Sequence, residues 1–291
     1  MDRQPAGPTD GVPTPPVCVR HPDRPTGLRC SRCDRPACPQ CLRPASVGQH
    51  CVDCLAEGQR TVRRPVTIAG ARADRKPVMV WLLITVNVLV FAITAAQAHS
   101  VMSLGSSRLF VQWWLVPVET RNGYWYQLIT AGFLHANPIH ILMNMLALWV
   151  IGRDMERILG PARFTAVYLV GLLGGSVDVL LFGQADAPTV GASGAVFALM
   201  GGLLVLVYRL KLNPSQVIGM IAINLVISVA IPGISLLGHV GGLVTGGVLT
   251  AGLIYAPARN RTLWQVGSVV VLVAVLIGLV LVRFSQIPQM S

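Results

Sequence analysis

The residues best placed to do chemistry are hydroxyl and imidazole groups inside apolar runs. Ser193 lies in Thr189-Val190-Gly191-Ala192-Ser193-Gly194-Ala195, between glycines, at the mouth of a run from Val196 to Tyr208 that is otherwise apolar. His239 lies in Leu236-Leu237-Gly238-His239-Val240-Gly241-Gly242, again beside glycines and again in an apolar setting. An ionisable group inside such a run is by default a functional hypothesis whose partner should be named. The pairing that suits these two types is Ser193 as nucleophile and His239 as general base. A third cluster reads Phe133-Leu134-His135-Ala136-Asn137-Pro138-Ile139-His140-Ile141-Leu142-Met143-Asn144. On a helix beginning near Pro138, His140 and Asn144 share a face. Their donors, with the backbone N–H of Ser193, could stabilise the oxyanion of an acyl-transfer intermediate. Metal binding by the same residues is the weaker reading, because no carboxylate joins them and serine is a poor ligand.

A second chemistry sits in the first fifth of the chain. All seven cysteines fall between Cys18 and Cys54, in the pairs Cys18-x2-His21, Cys30-x2-Cys33, Cys38-x2-Cys41 and Cys51-x2-Cys54. Two ligands at that spacing reach one tetrahedral zinc from a tight turn, so four pairs make two closed, structural zinc sites. Sequential and interleaved pairing both satisfy the spacing, and His50 is a spare donor beside Cys51. The pattern resembles B-box-type zinc fingers. That resemblance implies interleaving, with Cys18, His21, Cys38 and Cys41 at one ion and Cys30, Cys33, Cys51 and Cys54 at the other.

The elements that must position Ser193 and His239 are membrane spans. The chain is 53% hydrophobic and 12% charged, with mean hydropathy +0.61, too apolar for an ordinary soluble domain. Apolar runs at 78–96, 139–158, 163–183, 193–210, 214–231, 235–255 and 264–283 approach the roughly 20 residues that a bilayer core requires. The opening residues are rich in proline and arginine instead of basic-then-apolar, so no signal peptide is expected and the N-terminus is assigned to the cytoplasm. The basic residues Arg153, Arg157, Arg163, Arg209, Lys211, Arg259 and Arg261 then all fall in cytoplasmic loops, as topology charges do. The net charge of +11 is explained this way, and nucleic acid is not an expected partner. In this topology the fourth and sixth spans run inward in parallel, with Ser193 and His239 at similar depth near the outer face. Small-residue stripes, Gly194, Ala198 and Gly202 on one and Gly238, Gly242 and Gly246 on the other, would let the two backbones approach.

Together these clusters resemble the rhomboid family of intramembrane serine proteases. The resemblance covers about residues 78–256 and rests on His135-x4-His140-x3-Asn144, Gly191-Ala192-Ser193-Gly194 and Gly238-His239-x2-Gly242. It implies an all-α polytopic membrane protein, a rhomboid-like six-helix bundle, with a Ser193–His239 dyad and no acidic third member. His140, Asn144 and Ser193 would form the oxyanion hole, and His135, Gly191 and Gly194 would support it. The implied substrates are single-span membrane proteins, cut near the outer end of their transmembrane helix. Residues 97–138 would be the long first loop, with Trp113, Trp114, Tyr124, Trp125 and Tyr126 at headgroup level. Many bacterial members carry Trp-Arg in that loop where this chain has Tyr126-Gln127, and the resemblance assigns no role to Asp178 inside the third span.

The expected layout is a disordered tail (1–16), a zinc-binding module (17–56), a basic linker on the cytoplasmic leaflet (57–77), a protease core (78–258), and an extra transmembrane helix with its tail (259–291) that leaves the C-terminus outside. The competing function is an inactive, membrane-anchored adaptor whose zinc module binds a cytoplasmic protein. An α/β-hydrolase is excluded, since Ala195 stands where the Gly-x-Ser-x-Gly elbow needs its last glycine. A transporter would call for an inverted repeat, which the sequence lacks.

Overall fold

A computed structural model describes residues 15–61, 66–72 and 76–286. The expected disordered tail, apart from its last two residues, and three linker arginines (Arg63, Arg64 and Arg75) lie outside that set. The chain divides into two compact units, 1–64 and 65–291.

The first unit holds two small antiparallel ribbons. β1 (Val17–Cys18) pairs with β2 (His21–Pro25), and β3 (Leu42–Pro44) pairs with β4 (Gln49–Cys51). A helix follows, α1 (Val52–Thr61). It continues through the stretch 57–61 that the sequence reading assigned to the linker. The buried residues of this unit are mostly its cysteines, with Ala37 and Leu42 between them. So small a core is not self-sufficient, and a metal held by these cysteines would supply the missing stabilisation.

In the second unit the long helices are α2 (Met79–Ala98), α6 (Pro138–Leu159), α7 (Pro161–Phe182), α8 (Ser193–Arg209), α9 (Ser215–Ala230), α10 (Leu236–Ile254) and α11 (Arg261–Gln286). Between α2 and α6 lie the short helices α3 (Arg108–Trp113), α4 (Pro117–Arg121) and α5 (Gln127–Thr130). A long helix occupies each of the seven expected spans. By length and composition, four of them can cross a membrane: α2, α7, α10 and α11. A fifth span results if α6 is joined to the short helix before it, across a bend of 94°. The other two, α8 and α9, have 17 and 16 residues, shorter than the expected spans.

Local chemistry sets the helix ends. Asn137 caps α6 by accepting from the His140 amide at 2.9 Å, with Pro138 at the first helical position. Ser235 caps α10 in the same way through Gly238 N–H. The amides at the start of α2 are satisfied from another helix. The buried Glu156 carboxylate of α6 accepts from Val78, Met79 and Val80 at 2.8–2.9 Å. A carboxylate at a helix N-terminus also meets the favourable end of the helix dipole.

Residues 66–72 depart from the basic linker expected on the leaflet. They form a tight turn packed into the second unit. Ala69 is fully buried, and Thr67 Oγ1 donates to the Ile158 carbonyl at 2.6 Å. The arginines and prolines around this turn masked the short apolar sequence Val66-Thr67-Ile68-Ala69 that buries it. Gln265 of α11 closes the same corner, donating to the Ala69 and Leu253 carbonyls and accepting from Arg163 Nε at 2.7 Å. At the other end of α11, Arg283 donates to the Leu180 carbonyl of α7 at 3.0 Å. The seventh helix is thereby fixed parallel to α7.

Candidate active site

The site is set by the packing of α8 against α10. A Cβ at Gly242 would meet the Gly194 carbonyl, and one at Gly246 would meet Ala198. One turn further on, Gly202 lies against Thr250. The contacts advance together along both helices, so they run parallel with backbones almost touching, as the small-residue stripes anticipate. Gly194, next to Ser193, lies so close to Gly238, next to His239, that an added Cβ would be 3.2 Å from the Gly238 carbonyl oxygen. The two polar residues therefore enter the bundle at the same level.

His239 is 6% exposed and held on two sides. Phe197 stacks on its ring with centroids 4.1 Å apart and planes 12° from parallel. Phe197 follows Ser193 by four residues on α8, so the stacked ring and the hydroxyl share one helix face. On the other side, Ser228 of α9 places its Oγ 2.6 Å from His239 Nδ1. Neither Phe197 nor Ser228 was singled out from the sequence, because a phenylalanine and a serine are unremarkable inside a span. The Ser193 hydroxyl is half-buried, and among the described residues it makes no hydrogen bond, to His239 or to any other group. Catalytic hydrogen bonds are often long before substrate binds.

The third cluster meets Ser193 at Gly191. That residue has φ +130°, a conformation open to glycine. A Cβ there would be 2.8 Å from His140 Nε2 and 3.6 Å from Ser193 Oγ. The missing side chain thus leaves a shared space between imidazole and hydroxyl. His140 Nδ1 accepts from the Ala136 amide at 3.4 Å, which assigns the ring proton of neutral His140 to Nε2, on the Gly191 side. Asn144 is buried and gives one amide hydrogen to the His140 carbonyl at 2.9 Å, keeping the other for a ligand. His135 is fully buried against His140, ring centroids 5.2 Å apart, and among the described residues neither of its nitrogens has a hydrogen-bond partner. Asp178 of α7 is half-buried and packs on Gly241, on the α10 residue pair that follows His239 and Val240.

The long first loop braces this site from one side. Leu115 and Thr189 exchange both backbone hydrogen bonds at 2.9–3.0 Å, and Val118 N–H donates to the Ala185 carbonyl. The Gly191 amide itself donates to Ala131 at 3.0 Å. Gln127 is fully buried. Its amide donates to Glu119 at 2.9 Å and accepts from the Thr120 hydroxyl at 3.2 Å. A neutral amide thus knits the loop together.

The metal-binding residues of the first unit form two clusters. Cys18, His21, Cys38 and Cys41 make one, and Cys30, Cys33, Cys51 and Cys54 make the other. The interleaved arrangement is the one present, and His50 belongs to neither cluster. Within the first cluster, His21 Nδ1 lies 3.4–3.8 Å from the three sulfurs, and in the second Cys33 and Cys51 sulfurs are 3.8 Å apart. These separations fit the edges of a tetrahedral metal site: for zinc, bonds of about 2.3 Å to sulfur and about 2.0 Å to nitrogen would imply edges of roughly 3.5–3.8 Å. The thiols are not equivalent. The Cys38 backbone amide draws Cys18 down to about 6, while burial pushes Cys41 up to about 11. The neighbouring Cys33 side chain pushes Cys54 up to about 12. Thiolates this close ionise together only around a cation, so the residues fit a metal.

The fold and the site define a polytopic helical membrane protein with serine, histidines and asparagine gathered at one end of a bundle, joined to a small module built to hold metal. Comparison with known proteins agrees. Residues 122–256 match the Rhomboid domain family. Rhomboid protease GluP of Bacillus subtilis (strain 168) is 29% identical over 222 residues, 73% of this chain and 42% of that protein. The rhomboid-family protein YdcA of the same organism is 34% identical over 134 residues, 44% of this chain and 67% of that protein. RHOMBOID-like protein 4 of Arabidopsis thaliana is 36% identical over 138 residues, 45% of this chain and 35% of that protein. The chain belongs to the rhomboid family. Its match spans less than half the length of GluP and of the Arabidopsis relative.

Proposed function

We propose that the chain is an intramembrane serine endopeptidase that cleaves single-span membrane proteins near the outer end of their transmembrane helix. The observation that carries this reading is the convergence at Gly191. His140 Nε2 and Ser193 Oγ border one small space there, while α10 holds His239 against Phe197, one turn along α8 from the serine.

In this mechanism His239 takes the Ser193 hydroxyl proton as Oγ attacks the scissile carbonyl carbon. The carbonyl electron pair moves to oxygen, where His140 Nε2–H, the free Asn144 N–H and the Ser193 amide receive it. The Ser193 amide opens α8 and has no carbonyl in a preceding turn to bond. The C–N bond then breaks, and the leaving amine takes its proton from His239. Water, deprotonated by the same imidazole, releases the acyl group from the ester. A substrate helix must unwind first, since a regular helix already satisfies its own backbone groups. The outer location of the site and the cytoplasmic placement of the N-terminal module follow from the distribution of basic residues. The metal-binding residues Cys18, His21, Cys30, Cys33, Cys38, Cys41, Cys51 and Cys54 would hold two structural zinc ions, with every position filled by protein and no part in hydrolysis.

The test is cleavage of a model single-span substrate by the detergent-purified chain, together with labelling by a fluorophosphonate or isocoumarin probe. Label mapped to Ser193, with cleavage lost in Ser193→Ala and His239→Ala, is the expected result. A folded wild-type chain that neither cleaves nor labels would leave a membrane-anchored adaptor.

A further inference from the structure

We propose that Ser228 is a positioning residue for His239, a neutral group that holds the imidazole in the tautomer a general base requires. The inference rests on the protease reading above. Ser228 Oγ lies 2.6 Å from His239 Nδ1 and 2.7 Å from the Asn224 carbonyl oxygen, one helical turn earlier in α9. A serine hydroxyl has one hydrogen to give and two lone pairs, and a carbonyl oxygen only accepts. The Ser228 hydrogen therefore goes to Asn224, the back-bond that serine commonly makes within a helix. Oγ is left as the acceptor, so His239 must present Nδ1–H to it. The neutral ring then carries its proton on Nδ1, and Nε2 is a bare lone pair free to take the proton of Ser193.

The opposite tautomer, with Nε2 protonated, would need the Ser228 hydrogen turned toward Nδ1 and away from Asn224. It would also leave His239 unable to act as a base toward Ser193. The arrangement works through the reaction as well. When Nε2 takes the serine proton the ring becomes a cation, and the chain from Nδ1–H to Ser228 to the Asn224 carbonyl polarises in the direction that stabilises it. No proton travels along that chain, and none needs to. Phe197 fixes the plane of the ring by stacking, whereas Ser228 fixes its rotation within that plane and its protonated edge. Serine takes the orienting place a carboxylate holds in Ser-His-Asp enzymes, with no charge to bury.

The experiment uses the full chain in detergent with two readouts. In the first, kcat and KM for a single-span substrate are measured for wild type, Ser228→Ala and Ser228→Thr. Misorientation of a catalytic group costs on the order of a hundredfold. Ser228→Ala is expected to lose about tenfold to a hundredfold in kcat at nearly unchanged KM, and Ser228→Thr, which keeps the hydroxyl, to recover most of the loss. In the second, the chain is labelled with 15N-histidine, and His239→Gln identifies the His239 signals among six histidines. Wild type is expected to show a protonated Nδ1 and a bare Nε2, and Ser228→Ala a mixture of tautomers. Wild-type kcat in Ser228→Ala, no recovery in Ser228→Thr, or a wild-type ring protonated on Nε2 would each overturn the proposal. Failure of the protease reading looks different: the wild type itself would neither cleave nor label at Ser193, while the nitrogen spectra still reported whether Ser228 sets the tautomer.

Discussion

At Gly191 a single added methyl group would act on two functional side chains at once. The residue has φ +130°, and a Cβ would stand 2.8 Å from the His140 ring and 3.6 Å from Ser193 Oγ. Gly191→Ala is expected to abolish cleavage and probe labelling, and to cost about 1–3 kcal/mol of stability from the strained backbone. Labelling intensity and thermal unfolding in detergent measure the two effects separately. Phe197 offers a graded counterpart. Phe197→Tyr keeps an aromatic face on His239 and should retain most activity, while Phe197→Ala should lose about tenfold to a hundredfold in kcat as the imidazole loosens. Ser193, His239, His140 and Asn144 were legible in the sequence because polar groups are costly in apolar runs. Phe197 and Ser228 were not. A phenylalanine and a serine are unexceptional in a transmembrane helix, and only the contact with a histidine on another helix gives them meaning.

At the scale of elements, the stripes of small residues on α8 and α10 were readable because helix spacing turns a sequence interval into a face. What they could not reveal was the third partner. Gly174 and Gly175 of α7 approach Thr245 and the Gly238 carbonyl, so α10 is gripped from two sides. The turn at 66–72 and the docking of α11 were also hidden, since both depend on hydrogen bonds between residues more than ninety positions apart. Gln265 shows what those bonds do. It is 4% exposed and serves the Ala69 and Leu253 carbonyls and Arg163. Gln265→Leu is about the same size but leaves these groups unpaired. The expected result is a loss of about 1–3 kcal/mol, the cost of buried polar groups without partners. Cleavage below the melting temperature should be close to wild type, because Gln265 of α11 meets α10 at Leu253, the opposite end of that helix from His239. A variant with normal stability would show that the Gln265 hydrogen bonds do not hold α11 in place.

On the scale of the whole molecule, the position of the cysteines makes the arrangement of the chain measurable without engineering. All seven lie between Cys18 and Cys54, and each belongs to one of the two clusters. Metal analysis of the purified chain should find close to two zinc ions per molecule. Ligands must be deprotonated to bind, so protons compete with metal and zinc should be released as pH falls. A chelator should unfold the module, whose core consists largely of its ligands, while detergent cleavage by residues 65–291 persists. The same thiols report topology. If basic loops face the cytoplasm, an impermeant maleimide added to intact cells should leave every cysteine unmodified, even with an extracellular chelator present. After permeabilisation and metal removal, up to seven thiols should react. Modification in intact cells would put the module outside. The serine and histidines would then face the cytoplasm, since the number of spans between module and site fixes one side by the other, and cleavage at the outer end of a substrate helix would be ruled out even if Ser193 were the nucleophile.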